Sequence, residues 1–234
     1  MRINKYFTEH GYASRREADR YIREGRVRIN GKPALLGAVV GDKDVVTFDG
    51  KVLRPKKKLP VILAYHKPVG VECTHDKAVS QNILAAVRFP ERVFYVGRLD
   101  RMSEGLILLT NAGEVANRIT RSDELIEKEY LVRFAQSVPD SALKKFASGV
   151  NIGGYRTKQA KVFRKGVNSA RIILTEGKNR QIRRMAERLG LSVTHLKRIR
   201  VMDVRLEKLP PGGWRKLSAH ECEKIINRFG KSDN

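Results

Sequence analysis

Apolar residues follow two rhythms along the chain, and the change between them divides it. Near the N-terminus Ile3, Tyr6 and Phe7 keep helical spacing, and Gly11 follows as a stop. Ser14-Arg15-Arg16-Glu17 has the form of a capping box, in which serine and glutamate each satisfy a backbone N–H at a helix start. Ala18, Tyr21 and Ile22 line one face of the helix it opens, and Gly25 ends it. Val27 and Ile29 then alternate with Arg26 and Arg28, which is strand period, and Asn30-Gly31 supplies a hairpin turn that needs positive φ. A further strand over 45–48 ends at Asp49-Gly50. Residues 54–60, with two prolines and four cations, read as a linker that either tracks phosphates or lies in solvent.

From residue 61 the strand period dominates. Strands are predicted over 61–65, 93–96, 106–109, 129–134, 160–164, 170–175 and 193–201, and helices over 113–120, 139–148, 179–189 and 219–229. Ser218 and Glu221 form a second capping box before the last helix. The strands come in clusters and do not alternate strictly with helices. An α+β fold with a mixed, mostly antiparallel sheet flanked by helices is therefore expected over a doubly wound one. The expected organisation is a small domain at 1–53, a basic linker at 54–60 and a larger domain at 61–230.

Charge narrows the function. Among 234 residues, 48 Lys and Arg face 25 Asp and Glu, a net charge of +23. Such an excess favours a polyanionic partner, usually nucleic acid. An anionic membrane is the alternative, but neither charge concentrated beside an exposed apolar helix face nor a lipidation site is obvious, and no long apolar run is present. A cytoplasmic protein without membrane contact is expected. Residues 1–60 carry 15 Lys and Arg against 7 Asp and Glu. Arg16, Arg20 and Arg23 stand at helical neighbour spacing, with Arg26 and Arg28 close behind. Like charges so stacked repel unless an anion sits on them, so these residues, with Arg15, are candidate phosphate contacts.

The chemistry-bearing motifs are few. Cys73 and Cys222 and the five histidines form neither a disulfide framework nor a metal-ligand spacing, and no nucleotide-binding glycine loop or serine elbow is present. No metal and no cofactor is expected. One acidic residue stands out. The apolar run 93–96 leads into Gly97-Arg98-Leu99-Asp100, which places a carboxylate at a sheet rim beside an arginine. A second segment, Glu176-Gly177-Lys178-Asn179-Arg180-Gln181-Ile182-Arg183-Arg184-Met185, follows a strand and opens a helix, with cations crowding its N-terminal end. An RNA phosphate, or a carboxylate such as Asp100, would suit that end.

Residues 1–50 resemble the small RNA-binding module named after ribosomal protein S four, through Gly11, Ser14 to Ala18, Ile22, Gly25-Arg26-Val27 and Asn30-Gly31. Over almost its whole length the chain resembles bacterial ribosomal-RNA pseudouridine synthases of the RsuA, RluB, RluE and RluF branch. The motifs are Lys67-Pro68 with Gly70, Gly97 to Asp100 with Ser103 and Gly105-Leu106, Lys128-Glu129-Tyr130, and Glu176 to Met185. The sequence from Gly70 to Asp76, with Asn82-Ile83, leans towards the large-subunit, RluF-like members. Ser103 stands where threonine is also common in the family.

The resemblance implies a reaction and roles. A uridine in a stem-loop of ribosomal RNA, expected in 23S RNA, would be flipped out and isomerised to pseudouridine. Asp100 would permit glycosidic cleavage, by attack on the sugar or by abstracting a proton there. Tyr130 would pack against the base and help remove the C5 proton. Arg183 would pair with the aspartate, Arg98 would fill the space the nucleotide leaves, and Lys67 and Pro68 would support the site from the sheet rim. Lys67, Arg98, Arg180 and Arg184 complete the RNA-contacting set with the arginines of residues 15–28. A planar guanidinium can replace lost stacking in a way lysine cannot, and an aromatic platform holds an extruded base. A catalytically silent RNA binder and a tRNA-modifying enzyme remain as alternatives. A monomer is expected, acting on naked RNA or a ribosomal assembly intermediate.

Overall fold

The computed structural model describes residues 1–54, 60–121 and 126–229. The linker expected at 54–60 therefore falls largely outside the described residues, as do the residues beyond 229. Tertiary contacts divide the chain into one unit of Met1–Pro60 with Asn111–Gly113 and a second of Val61–Thr110 with the residues from Glu114 onward.

The first unit opens with α1 (Ile3–Glu9) and α2 (Arg15–Arg23), followed by β1 (Val27–Ile29), β2 (Lys32–Pro33), β3 (Val46–Phe48) and β4 (Lys51–Val52). The capping box forms: Glu17 N–H donates to the Ser14 hydroxyl at 3.1 Å, and Ser14 N–H donates to the Glu17 carboxylate at 2.8 Å. Asn30 and Gly31 take φ of 51° and 78°, the two left-handed residues of a type I′ turn, and β1 pairs β2 across them. The four strands form an antiparallel sheet in the order β2-β1-β3-β4. Ile3, Phe7, Ala18, Ile22, Val27 and Val46 make its buried core against the two helices.

In the second unit the order is β5 (Ile62–Lys67), α3 (Ile83–Val87), β6 (Phe94–Val96), β7 (Glu104–Thr110), α4 (Gly113–Arg121), β8 (Lys128–Phe134), α5 (Asp140–Ser148), β9 (Lys161–Gly166), β10 (Ser169–Leu174), α6 (Gln181–Arg188), β11 (Val193–Val201), β12 (Val204–Arg205), β13 (Trp214–Lys216) and α7 (Ala219–Phe229). One sheet runs β13-β5-β7-β11-β8-β10-β9, with β12 on β11 and β6 on β7. Among the described strands only the β7–β11 pair is parallel, so the sheet is mixed and mostly antiparallel. None of the described helices is long and apolar enough to cross a membrane.

The sheet is buried on both faces, which explains why β5 and β7 read as continuous apolar runs. Leu63, Tyr65, Ile107, Leu109, Val132 and Ile172 point into one core with Ile83 of α3, Phe146 of α5 and Met185 of α6. Ile62, Ala64, Leu106 and Leu108 point into the other, with Ile119 of α4 and Ile225 of α7. The expected strands and helices all appear, with ends shifted by a few residues.

One topological detail positions the site. β5 pairs with β7 from Ile62 opposite Thr110 to Lys67 opposite Gly105. The other edge of β7 is shared: β6 takes residues 108–110, and β11 takes Glu104 and Gly105. The chain leaving β6 must therefore turn back within this split before it enters β7. Residues 97–103 make that turn.

Candidate active site

Two glycines with left-handed backbone flank the split, and at one of them a side chain has no room. Gly97 has φ of 71°. Gly105 has φ of 114°, and a Cβ there would stand 2.2 Å from the Arg198 carbonyl oxygen. Between them the chain makes a tight turn, with Ser103 N–H donating to the Asp100 carbonyl at 3.0 Å. Leu99 is buried and turns Asp100 outward. Gly70 N–H donates to the Arg101 carbonyl at 2.9 Å, which ties this turn to the loop after β5.

Asp100 lines a cavity of 310 Å³ at the split. Apolar walls come from Leu99, Ile126, Leu174, Ile182 and Leu196, and Tyr130 of β8 stands among them, only 8% exposed. Arg98, Lys128, Lys178, Arg180 and Arg198 bring cations to the lining; among the described residues Asp100 and Glu176 are its carboxylates. The volume suits a small planar ligand, and the charge suits a polyanion to which that ligand is attached. The Asp100 carboxylate has no ion-pair or hydrogen-bond partner among the described residues. A half-buried acid left unspent in an electropositive recess is available for chemistry.

Several groups hold the lining in place. Arg198, 4% exposed, donates through Nε to the Leu106 carbonyl at 2.7 Å and through Nη1 to the Arg98 carbonyl at 3.3 Å, bracing both ends of the Asp100 turn. Glu176 accepts from the Tyr155 hydroxyl at 2.6 Å, Gln181 Nε2 at 2.6 Å and Lys158 N–H at 3.0 Å, which fixes the loop leading to α6. Lys178 lies over the Tyr155 ring at 4.4 Å. Burial, with the Arg198 charge beside it, holds Lys128 down to about 8 despite Glu176.

The structure brings Asp100, Tyr130, Arg98 and Arg180 to one cavity. It separates the other expected residues from it. Arg183 makes no ion pair with Asp100. Its guanidinium donates to the Val193 carbonyl at 3.0 Å and the Met102 carbonyl at 2.8 Å, and Asp100 reaches it only as a more distant charge. Arg183 therefore braces the end of the Asp100 turn through Met102. Arg184 donates to the Ile152 carbonyl and lines a different, shallow recess with Arg188. Arg180, expected within the helix, caps it with a left-handed φ of 49°, so α6 begins at Gln181.

Lys67 is not a surface cation. It is 0% exposed, and its Nζ donates to the carbonyls of Pro68, Val71 and Arg101 at 2.8, 2.7 and 3.4 Å. In this conformation it cannot touch a phosphate; it ties together the two loops beneath Asp100. Lys128, Ser103 and Arg198 line the cavity as well and were missed as site residues. Lys128 carried a signal, because it precedes Tyr130 by two residues and shares its face of the strand. Arg198 carried none, because its place depends on a strand pairing across 93 residues of chain, Arg198 opposite Gly105.

In the first unit Arg15, Arg16 and Arg23 are exposed and form no ion pair among the described residues. Arg20 pairs with Glu24 at 3.6 Å. Arg26 grips Asp49 through two hydrogen bonds of 2.8 and 2.6 Å, reaches Glu24 at 3.1 Å, and stacks over the rings of Tyr21 and Phe48. The helix charges expected to await an anion are thus partly answered within the fold.

Such a cavity, with the Asp100 carboxylate and an aromatic ring among several cations, agrees with the relationships of the sequence. The family model described as RNA pseudouridylate synthase matches residues 61–188, and that of the S4 domain matches residues 1–46. The chain belongs to the RNA pseudouridylate synthase family, enzymes that isomerise uridine within RNA. It is 43% identical over 235 residues to the dual-specificity RNA pseudouridine synthase RluF of Escherichia coli K12, an alignment covering 100% of this chain and 80% of that protein. The ribosomal large subunit pseudouridine synthase B of Vibrio cholerae is 38% identical, covering 96% and 74% of the two chains. A crystal structure of a pseudouridylate synthase superposes with a TM-score of 0.70 at 28% identity, covering 97% of this chain and 100% of that one.

Proposed function

We propose that this enzyme converts a uridine of ribosomal RNA, most directly 23S RNA, to pseudouridine, with Asp100 as the reacting group. The observation that carries the reading is the unpaired Asp100 carboxylate in a cavity with Tyr130 and five cations. The target uridine leaves its stem, at a cost of a few kcal/mol, and its base enters against Tyr130. Arg98 and Arg180, at the exposed rim, contact the RNA, and Arg98 takes up the vacated stacking position. Asp100 then acts on the sugar, either by attack at C1′ or by taking a proton from C2′. The base turns and rejoins the ribose through C5.

Residues 1–53 grip RNA phosphates through Arg15, Arg16 and Arg23, residues 54–60 link, and 61–230 carry the chemistry. Arg183, Lys67 and Arg198 position the Asp100 turn without touching the nucleotide. The enzyme works in the cytoplasm as a monomer, on free RNA or on an assembling subunit. The name of the Escherichia coli relatives, dual-specificity, favours a second RNA class as an additional substrate.

Carbodiimide primer extension tests this reading. Ribosomal and transfer RNA transcripts are incubated with wild-type enzyme or Asp100→Asn. A stop in 23S RNA that appears with wild type and not with the variant is the expected result. Equal stops with both proteins would remove Asp100 from the chemistry, and stops confined to tRNA would refute the ribosomal substrate.

A further inference from the structure

We propose that Lys128 is a catalytic residue whose ammonium hydrogen-bonds a carbonyl oxygen of the target uracil and holds the negative charge the base carries while detached from its ribose. The inference rests on the reading of Asp100 as the reacting group.

Lys128 opens β8 two residues before Tyr130, so strand alternation turns both side chains to one face. Both line the cavity that Asp100 lines. An ammonium carries three N–H donors. Lys128 Nζ spends one, on the Ile126 carbonyl at 3.1 Å, and the other two have no partner among the described residues. The Ser103 hydroxyl, 1% exposed in the same lining, is likewise without a partner. Buried polar groups are normally hydrogen-bonded, so donors left unspent beside apolar walls mark a place for a ligand. A uracil ring offers two carbonyl oxygens for them. The remaining cations are less suited to the task. Arg198 is committed to two carbonyls, Lys178 lies on Tyr155, and Arg98 and Arg180 are exposed at the rim.

The reaction requires such a group. When the C1′–N1 bond breaks, both of its electrons stay with uracil, whose charge spreads over N1, O2 and O4. C1′ is satisfied either by a bond from the Asp100 carboxylate or by loss of the C2′ proton to Asp100. In the second half C5 bonds to C1′. The Asp100 ester is released, or the proton returns to C2′. C5 loses its proton to a base and N1 gains one, so the net change is an isomerisation. Lys128 donates no proton in either half; its fixed charge opposes the charge that develops.

The charged and titratable groups that share the cavity with Lys128 are Arg98 and Asp100 from the turn after β6, Tyr130 on its own strand, Glu176, Lys178 and Arg180 before α6, and Arg198 on β11; of these, Arg198 and Glu176 act on its charge most directly. With burial and Arg198 setting Lys128 near 8, the ammonium is lost just above neutral pH, and the rate should fall with it.

The test is single-turnover release of tritium from in vitro transcribed ribosomal RNA labelled with [5-³H]uridine, measured between about pH 6.5 and 9.5. Lys128→Met should slow release at pH 7 by about 100-fold, the scale of losing one such donor, with RNA affinity unchanged. Lys128→Arg should keep most of the activity and lose the wild-type fall above pH 8, because a guanidinium stays charged. Wild-type rates in Lys128→Met, or an unchanged pH fall in Lys128→Arg, would overturn the proposal, provided Asp100→Asn is inactive. An active Asp100→Asn would instead overturn the site reading on which this inference depends.

Discussion

Lys67→Met probes how the floor beneath Asp100 is held. The ammonium is sealed from solvent and bonded to three carbonyls that belong to two loops. Burial lowers its pKa from 10.5 to about 8, with Cys73 and Asp100 opposing the drop. That drop corresponds to about 3 kcal/mol by which the folded state disfavours the charged form. The folded pKa lies below the unfolded one, so between pH 8 and 10.5 the unfolded chain keeps a proton the folded chain has lost. Stability attributable to Lys67 therefore rises with pH across that window, opposite to a lysine that gains a carboxylate. The assay is urea unfolding of wild type and Lys67→Met at pH steps from about 7 to 10.5, with the difference in unfolding free energy plotted against pH. Lys128 and the other groups not coupled to Lys67 cancel in the difference, and Cys73, whose thiol feels the Lys67 charge, is replaced by serine in both proteins. Wild type is expected to gain about 3 kcal/mol on Lys67→Met over the window. A flat difference would refute a buried, charged Lys67. Near pH 7 the variant should lose more activity than RNA affinity, because the loops beneath Asp100 lose their tie.

Gly105, Arg16 and Arg26 give three further tests. Gly105→Ala sets a Cβ 2.2 Å from the Arg198 carbonyl oxygen at a left-handed φ; overpacking and backbone strain together should cost about 3 kcal/mol or more, and a urea midpoint equal to wild type would contradict the β7–β11 contact. In the first unit, Arg16→Ala should weaken RNA binding and reduce the salt slope by about 0.7, one phosphate's worth on single strands. Arg26→Ala should lower the melting temperature of the first unit more than it changes that slope; a full loss of slope in Arg26→Ala with none in Arg16→Ala would reverse the assignment.

Local signals in the chain determined much of this fold. Capping boxes at Ser14 and Ser218, the Asn30-Gly31 turn and the alternating strands each depend on residues close in sequence, and all appear where the patterns indicated. The split in the sheet is different. It arises because β6 and β11 share one edge of β7, which no local pattern encodes. The same limit applies to the site. Asp100, Tyr130, Arg98 and Arg180 fall in recognisable motifs and meet at one cavity. Lys67 was misplaced among the RNA contacts, though not as a support at the sheet rim, because its sequence neighbourhood shows a charge but not the burial around it. The expected contact between Arg183 and Asp100 failed for a related reason: a helix phase indicates that Arg183 leaves the apolar stripe, not that carbonyls of Met102 and Val193 will claim its donors.

The central claim is that one carboxylate, Asp100, performs the chemistry while other groups hold the RNA. The most direct measurement compares wild type with Asp100→Asn on the same ribosomal RNA, recording binding affinity and, by nucleoside chromatography, single-turnover pseudouridine formation. Asparagine preserves the size of the side chain and removes the reacting oxygen's charge. Unchanged affinity with formation reduced at least about a thousandfold, the scale seen when a reacting group is removed, is the expected result. Pseudouridine formed by the variant within about tenfold of the wild-type rate would contradict it.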